Sequence, residues 1–165
     1  MVKNNKIDVA IIIGSKSDWE IMKSSASLLK EFDISFNCRV LSAHRTPGEL
    51  MSWLDELGSS GTRVIIAAAG LAAHLGGVIA SHTLVPVIGV PMDAGSLNGM
   101  DALLSMSQMP PGIPVAVMGI GKPGAVNAAL FAIQILSTAD ASLVKKMADY
   151  RKEQAKKVLN ETLEY

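Results

Sequence analysis

The stretch Ser42-Ala43-His44-Arg45-Thr46-Pro47-Gly48-Glu49 puts a hydroxyl, an imidazole and a guanidinium side by side. An imidazole titrates near neutral pH and can give or take a proton. A guanidinium's planar fork matches phosphate oxygens. In isolation His44 is an ordinary loop histidine and Arg45 one half of a surface salt bridge. Beside Ser42 at a strand's end, they read as a general acid and base next to an anion clamp. A second group, Gly14-Ser15-Lys16-Ser17-Asp18, lies between an apolar run and a helical pattern, where free backbone NH groups and the helix dipole suit a phosphate. Ser15 and Ser17 add hydroxyl donors, while Asp18 would repel a phosphate and suits sugar hydroxyls. The competing reading is a turn and a cap, with Asp18 as a first-turn acid. A third stretch, Ala69 to Gly77, is nearly all small residues. Gly70 allows close approach of backbone to a ligand, and His74 either points into the same cleft or caps its helix. His82, near the far end of that helix, reads as structural or as an interface residue.

The elements that must hold these groups follow from periodicity. Ile7 to Ile13 is an aliphatic run of the kind that forms a central parallel strand buried on both faces. Ile34 to Leu41 alternates Phe36, Cys38 and Val40 against Ser35, Asn37 and Arg39, the period of a strand with one deeper face. Val64 to Ala68, Pro86 to Val90 and Val115 to Met118 complete five strands. Helices follow each. Ser17 with Glu20 and Thr46 with Glu49 have the spacing of capping boxes, and Pro47 suits a first helical position. Helical stripes run through Trp19, Met22, Ala26 and Leu29, and through Leu50, Trp53, Leu54 and Leu57. Asn98-Gly99 marks a turn before a helix from Met100 to Gln108, and an alanine-rich helix runs from Ala125 to about Ser137. Asp140 caps a terminal arm at about 140–163, in which Leu143, Met147, Tyr150, Gln154 and Val158 share a face. Right-handed crossovers turn this alternation into a three-layer αβα sandwich, an α/β fold with a five-stranded parallel sheet, flavodoxin-like or Rossmann-like. In such sheets ligands bind at the carboxyl ends of the strands, where all three groups lie.

Composition narrows the function. At 165 residues, the chain has room for one full-sized core, so residues 1–165 read as a single domain. Zero net charge without blocks of like charge excludes a sequence-independent grip on nucleic acid or an anionic membrane. Only 18% of residues are charged and 49% are apolar, which favours a homo-oligomer that hides the surplus. Met1 to Lys6 lacks the apolar core of a signal peptide, and no apolar run is long enough to span a bilayer. With a single cysteine, Cys38, on a strand's apolar face, a reduced cytoplasmic setting is the simplest reading. Three histidines without short spacing make a poor metal site, so no metal is expected. Gly119-Ile120-Gly121-Lys122-Pro123-Gly124 fits the dinucleotide pattern GxGxxG, but the following strand ending in an acidic residue is missing. Lys122 is left to hold an anion or an oligomer contact. FMN in a flavodoxin-like module would use the Gly14 loop, yet only seven aromatics are present and none lies near the later edge loops.

Taken together, Gly14-Ser15-Lys16-Ser17-Asp18-Trp19, Ser42-Ala43-His44-Arg45-Thr46-Pro47 and Ala69-Gly70-Leu71-Ala72-Ala73-His74-Leu75 resemble the class I PurE family of purine biosynthesis. The resemblance continues through Pro86-Val87-Ile88-Gly89-Val90-Pro91, Gln108-Met109-Pro110 and Asn127-Ala128-Ala129-Leu130. It implies a cofactor-free mutase that moves the carboxylate of N5-carboxyaminoimidazole ribonucleotide from the exocyclic nitrogen to C4. It also implies that Ser15, Asp18 and Arg45 bind the ribonucleotide, that His44 carries the proton, and that the assembly is a homo-octamer. Ser42, Gly70 and His74 complete the expected substrate-binding set. The chain departs from the family at Leu71, where glycine is usual, and at Gly76, where proline is usual. Related enzymes that carboxylate aminoimidazole ribonucleotide directly with CO2 typically have lysine after the histidine and lack the second one, so Arg45 and His74 favour the mutase.

Overall fold

A computed structural model describes residues 7–164; the Met1 to Lys6 segment weighed above lies outside them. Five strands form one parallel sheet: β1 (Val9–Ile13), β2 (Phe36–Val40), β3 (Val64–Ala69), β4 (Val87–Pro91) and β5 (Ala116–Val117), in the order β2-β1-β3-β4-β5. This is the doubly wound order whose switch point falls between β1 and β3. The central strands β1, β3 and β4 are buried at every position. Alternate residues serve opposite layers. Val9, Ile11, Ile13, Val64, Ile66 and Ala68 pack under α1 (Trp19–Glu31) and α5 (Gly121–Ser137). Ala10, Ile12, Ile65 and Ala67 pack under α2 (Pro47–Ser60), α3 (Leu75–His82) and α4 (Met100–Ser107). A buried hydroxyl locks the first layer, since Ser25 donates to the carbonyl of Ala125 at 2.6 Å.

Several local expectations are corrected. The box at the first helix is two residues earlier: Ser15 accepts from the Ser17 amide, and the Asp18 carboxylate accepts from the Ser15 amide, around a 3-10 turn at Lys16–Asp18. Ser17 and Glu20 do not form it. Thr46 is the N-cap of α2 with Pro47 behind it, but its hydroxyl makes no cap bond. It is used instead on Ser42, whose amide it accepts at 2.9 Å. β2 is an edge strand, and Val40 is exposed rather than buried. Cys38 is half-buried against the first layer, and desolvation pushes its thiol up to about 11, so it stays a neutral packing group. α5 starts four residues earlier than its alanine run, since Pro123 is tolerated in a first turn. Gly124 there is obligatory because any Cβ would run into the Gly119 carbonyl, which accounts for the glycine pattern without a dinucleotide.

The terminal helix α6 (Ala141–Leu159) is capped by Asp140, which accepts from the Ser142 amide at 2.9 Å. Its first half is docked. Leu143 and Met147 are buried, Tyr150 meets Phe32 edge to face at 5.8 Å, and Lys146 binds Asp33 and the Phe32 carbonyl. Its second half presents Val158 and Leu159 to solvent. No helix among the described residues is long and apolar enough to cross a membrane.

Candidate active site

Three loops leave the carboxyl ends of β1, β2 and β3 and meet around a cleft of about 460 Å³, a size that suits a small metabolite. Its walls include all seven residues singled out from sequence: Ser15, Asp18, Ser42, His44, Arg45, Gly70 and His74. Lys122 and His82 are not among them.

The β1 loop is preorganised by its own hydrogen bonds. Gly14 keeps the strand's register by donating its amide to the Ala68 carbonyl at 2.9 Å. Ser17 donates its hydroxyl to Ser15 at 2.9 Å. Asp18, only 9% exposed, accepts from the Ser15 amide at 3.2 Å and from the Ser17 hydroxyl at 3.3 Å. Burial raises its pKa above the ordinary carboxylate value, against the lowering effects of those two hydrogen bonds and of the Arg45 charge. The result is an acceptor fixed in place at the cleft wall.

The β2 loop is built around Ser42. Its hydroxyl accepts from the amides of His44 at 3.3 Å and Arg45 at 3.2 Å, and the Thr46 amide donates to its carbonyl at 3.0 Å. Ser42 therefore positions the histidine and arginine through the backbone, a task its sequence neighbourhood does not announce. Arg45 reaches back across the switch point and donates Nη2 to the Gly14 carbonyl at 2.7 Å. This ties the β2 loop to the β1 loop and leaves other NH groups of the fork for an anion.

The β3 loop brings the second histidine. His74 occupies the N-cap of α3 but makes no capping bond with its side chain; of the two uses open to it, the cleft prevails. Its Nδ1 lies 3.0 Å from His44 Nε2, with the rings 5.2 Å apart and nearly perpendicular at 84°. At that separation only one of the two facing nitrogens can carry the proton, which each ring can pass to the other.

One feature of the cleft had no signal in the sequence as a motif. Ala94, from the loop after β4, closes one wall, and a Cβ on Gly70 would stand 2.8 Å from its own Cβ, so Gly70 is needed for the loops to meet. Leu71 also lines the cleft with φ of +58°. A left-handed backbone costs a residue with a Cβ about 1–2 kcal/mol, a cost that glycine would avoid.

At the switch point of this doubly wound sheet the cleft brings together a hydroxyl, a carboxylate, a guanidinium and a histidine pair. Residues 8–157 match the family model described as AIR carboxylase. The chain is 50% identical to the N5-carboxyaminoimidazole ribonucleotide mutase of Escherichia coli strain K12 over 157 residues, covering 95% of this chain and 93% of that one. It is 50% identical to the mutase of Bacillus subtilis over 154 residues, covering 93% and 94%. The mutase of Saccharolobus solfataricus is 49% identical over 156 residues, covering 94% and 98%. Among solved structures, the crystal structure of Treponema denticola PurE superposes with a TM-score of 0.83 at 31% identity, covering 92% of this chain and 93% of that one. The chain belongs to the AIR carboxylase (PurE) family.

Proposed function

We propose that this protein is an isomerase of purine biosynthesis, an N5-carboxyaminoimidazole ribonucleotide mutase. The observation that carries the mechanism is the His44–His74 contact at 3.0 Å inside a cleft that also holds Asp18 and Arg45. Arg45 and the Ser15 loop supply donors for the phosphate, and Asp18 supplies an acceptor for ribose hydroxyls. His44 gives a proton to the carbamate nitrogen, the N–CO2 bond breaks, and CO2 leaves with a neutral aminoimidazole. C4 then attacks CO2, a C–C bond forms, and neutral His44 removes the C4 proton. Proton and carboxyl group are both returned, so the sum is an isomerisation that uses no cofactor and no metal. His74 holds the imidazole of His44 and shares its proton between the two steps.

We further propose that the protein acts in the cytoplasm as a self-associated assembly, up to the octamer implied by resemblance. The uncovered second half of α6 supports self-association. Light scattering that returned a monomer would remove that part.

The activity is tested by supplying fresh N5-carboxyaminoimidazole ribonucleotide without bicarbonate and following the C4-carboxylated product. Product above the spontaneous background is the expected result. Turnover of aminoimidazole ribonucleotide alone, at high CO2, would replace the mutase with a direct carboxylase. A yellow preparation with bound flavin and no turnover would replace both with an FMN-binding module.

A further inference from the structure

We propose that Thr46 is a positioning residue that holds His44 in register for proton exchange with His74. This rests on the reading of His44 as the proton carrier given above. Both imidazoles belong to exposed residues, so packing does not hold them. Backbone must do so, and the β2 loop closes on two residues, Ser42 and Thr46. At its near end the Leu41 amide bonds the Ile13 carbonyl at 3.0 Å, and at its far end the Leu50 amide bonds the Thr46 carbonyl at 3.1 Å. Between them the Ser42 amide donates to the Thr46 hydroxyl at 2.9 Å, and that hydroxyl lies 3.2 Å from the Ser42 carbonyl, to which it donates. The Thr46 amide donates to the same carbonyl at 3.0 Å. Inside this ring the Ser42 hydroxyl accepts from the His44 and Arg45 amides.

Two features separate Thr46 from an ordinary helix cap. A threonine at the N-cap usually accepts from an amide in the first turn of its own helix, and Thr46 makes no such bond. The exposed amides of Gly48 and Glu49 can turn to water, whereas the half-buried Ser42 amide is costly to leave unmet. The branched threonine side chain is restricted at χ1, so the hydroxyl has little freedom to leave Ser42. Nor does Thr46 line the cleft, although Ser42, Ala43, His44 and Arg45 all do. It therefore acts on the site through Ser42. Arg45 has a tether of its own, from Nη2 to the Gly14 carbonyl. The His44 ring bonds only to His74, at 3.0 Å. Opening the clasp should thus displace the imidazole more than the guanidinium.

The test combines steady-state kinetics with NMR of the ring nitrogens, which three histidines keep uncluttered. Thr46→Val keeps the branched shape and removes the hydroxyl. It should lower kcat about 10–10²-fold with KM little changed, the loss that follows from a misplaced reacting group. In the ligand-free protein the ring signals of His44 and His74 should shift from their wild-type positions, while those of His82 stay. Thr46→Ser keeps the hydroxyl and should return kcat and ring signals to near wild type. Thr46→Asn supplies a preferred helix cap, so it keeps α2 anchored if the valine variant does not fold, and it should show the same losses. A role in helix stability alone would lower the melting temperature without moving the His44 and His74 signals. That result in either folded variant overturns the proposal, as does wild-type kcat. No product from the wild type would remove the mutase reading, and the ring signals of the ligand-free variants would then uphold or overturn the clasp by themselves.

Discussion

Helix α3 begins and ends with a histidine, and the two are in opposite circumstances. His74, at the amino end, makes no side-chain bond to its own helix and faces a second imidazole across the cleft. His82, in the last turn, turns its Nδ1 onto the Val78 carbonyl at 2.9 Å and also lies 2.9 Å from the Ser81 hydroxyl. The carbonyl requires an NH at Nδ1, so the helix fixes the tautomer of His82. What separates the histidine proposed to share a proton from the other is the partner, and the partner is set by which end of the sheet the residue reaches. At the carboxyl end, strands deliver loops with free side chains; at the other end, the helix consumes its own.

The largest effect that sharpens this contrast is expected from His44→Asn. Substrate should still bind, and kcat should fall by about 10²–10⁴-fold, the range for loss of a general acid and base. Near-normal turnover would move the proton carrier to His74. His74→Asn should lower kcat by less. The double variant should be little worse than His44→Asn alone, since groups that act as a unit are not additive; steady-state kinetics on all three variants settles it, and additive losses would mean that the two rings act independently.

Asp18→Asn tests the preorganised loop. Because burial raises the folded pKa of Asp18, its ionised form is disfavoured in the folded state. The stability it provides when protonated is fully present below the unfolded pKa and is lost as pH rises through the folded one. The asparagine variant should therefore melt no lower than wild type at neutral pH, its advantage shrinking as pH falls into the acid range, while KM rises. A lower melting temperature at neutral pH would show that the carboxylate's hydrogen bonds outweigh its burial. His82→Asn should be the smallest change, within about 0.5 kcal/mol of stability as for most surface substitutions, with unchanged kcat and KM; a loss of turnover would break the contrast between the two ends of α3.

Much of this was legible in the sequence because strands and loops announce themselves locally. The aliphatic run Ile7 to Ile13 and the small residues of β3 could only be central strands, and their ends located the cleft. Less legible were features decided by contacts between distant residues. The capping box at Ser15 and Asp18 was displaced from Ser17 and Glu20 because a 3-10 turn precedes α1. The Thr46 hydroxyl was drawn from its helix to Ser42. Nothing near His74 fixes its direction; His44, 30 residues earlier, does. Ala94 carries no chemistry of its own and enters only because the loop after β4 folds onto Gly70.

The Ser25 to Ala125 hydrogen bond joins residues 100 positions apart, and it has a consequence for how the protein is made. Every residue assigned to binding or proton transfer emerges from the ribosome by His74. The α5 wall that covers β1 and β3 is synthesised about fifty residues later. During translation the reactive groups therefore exist before the layer that fixes the strand ends carrying them. A nascent chain halted before α5 would hold all of these side chains with α1 alone on the face that α5 completes, and competence should arrive late, as a single event, when α5 docks against α1.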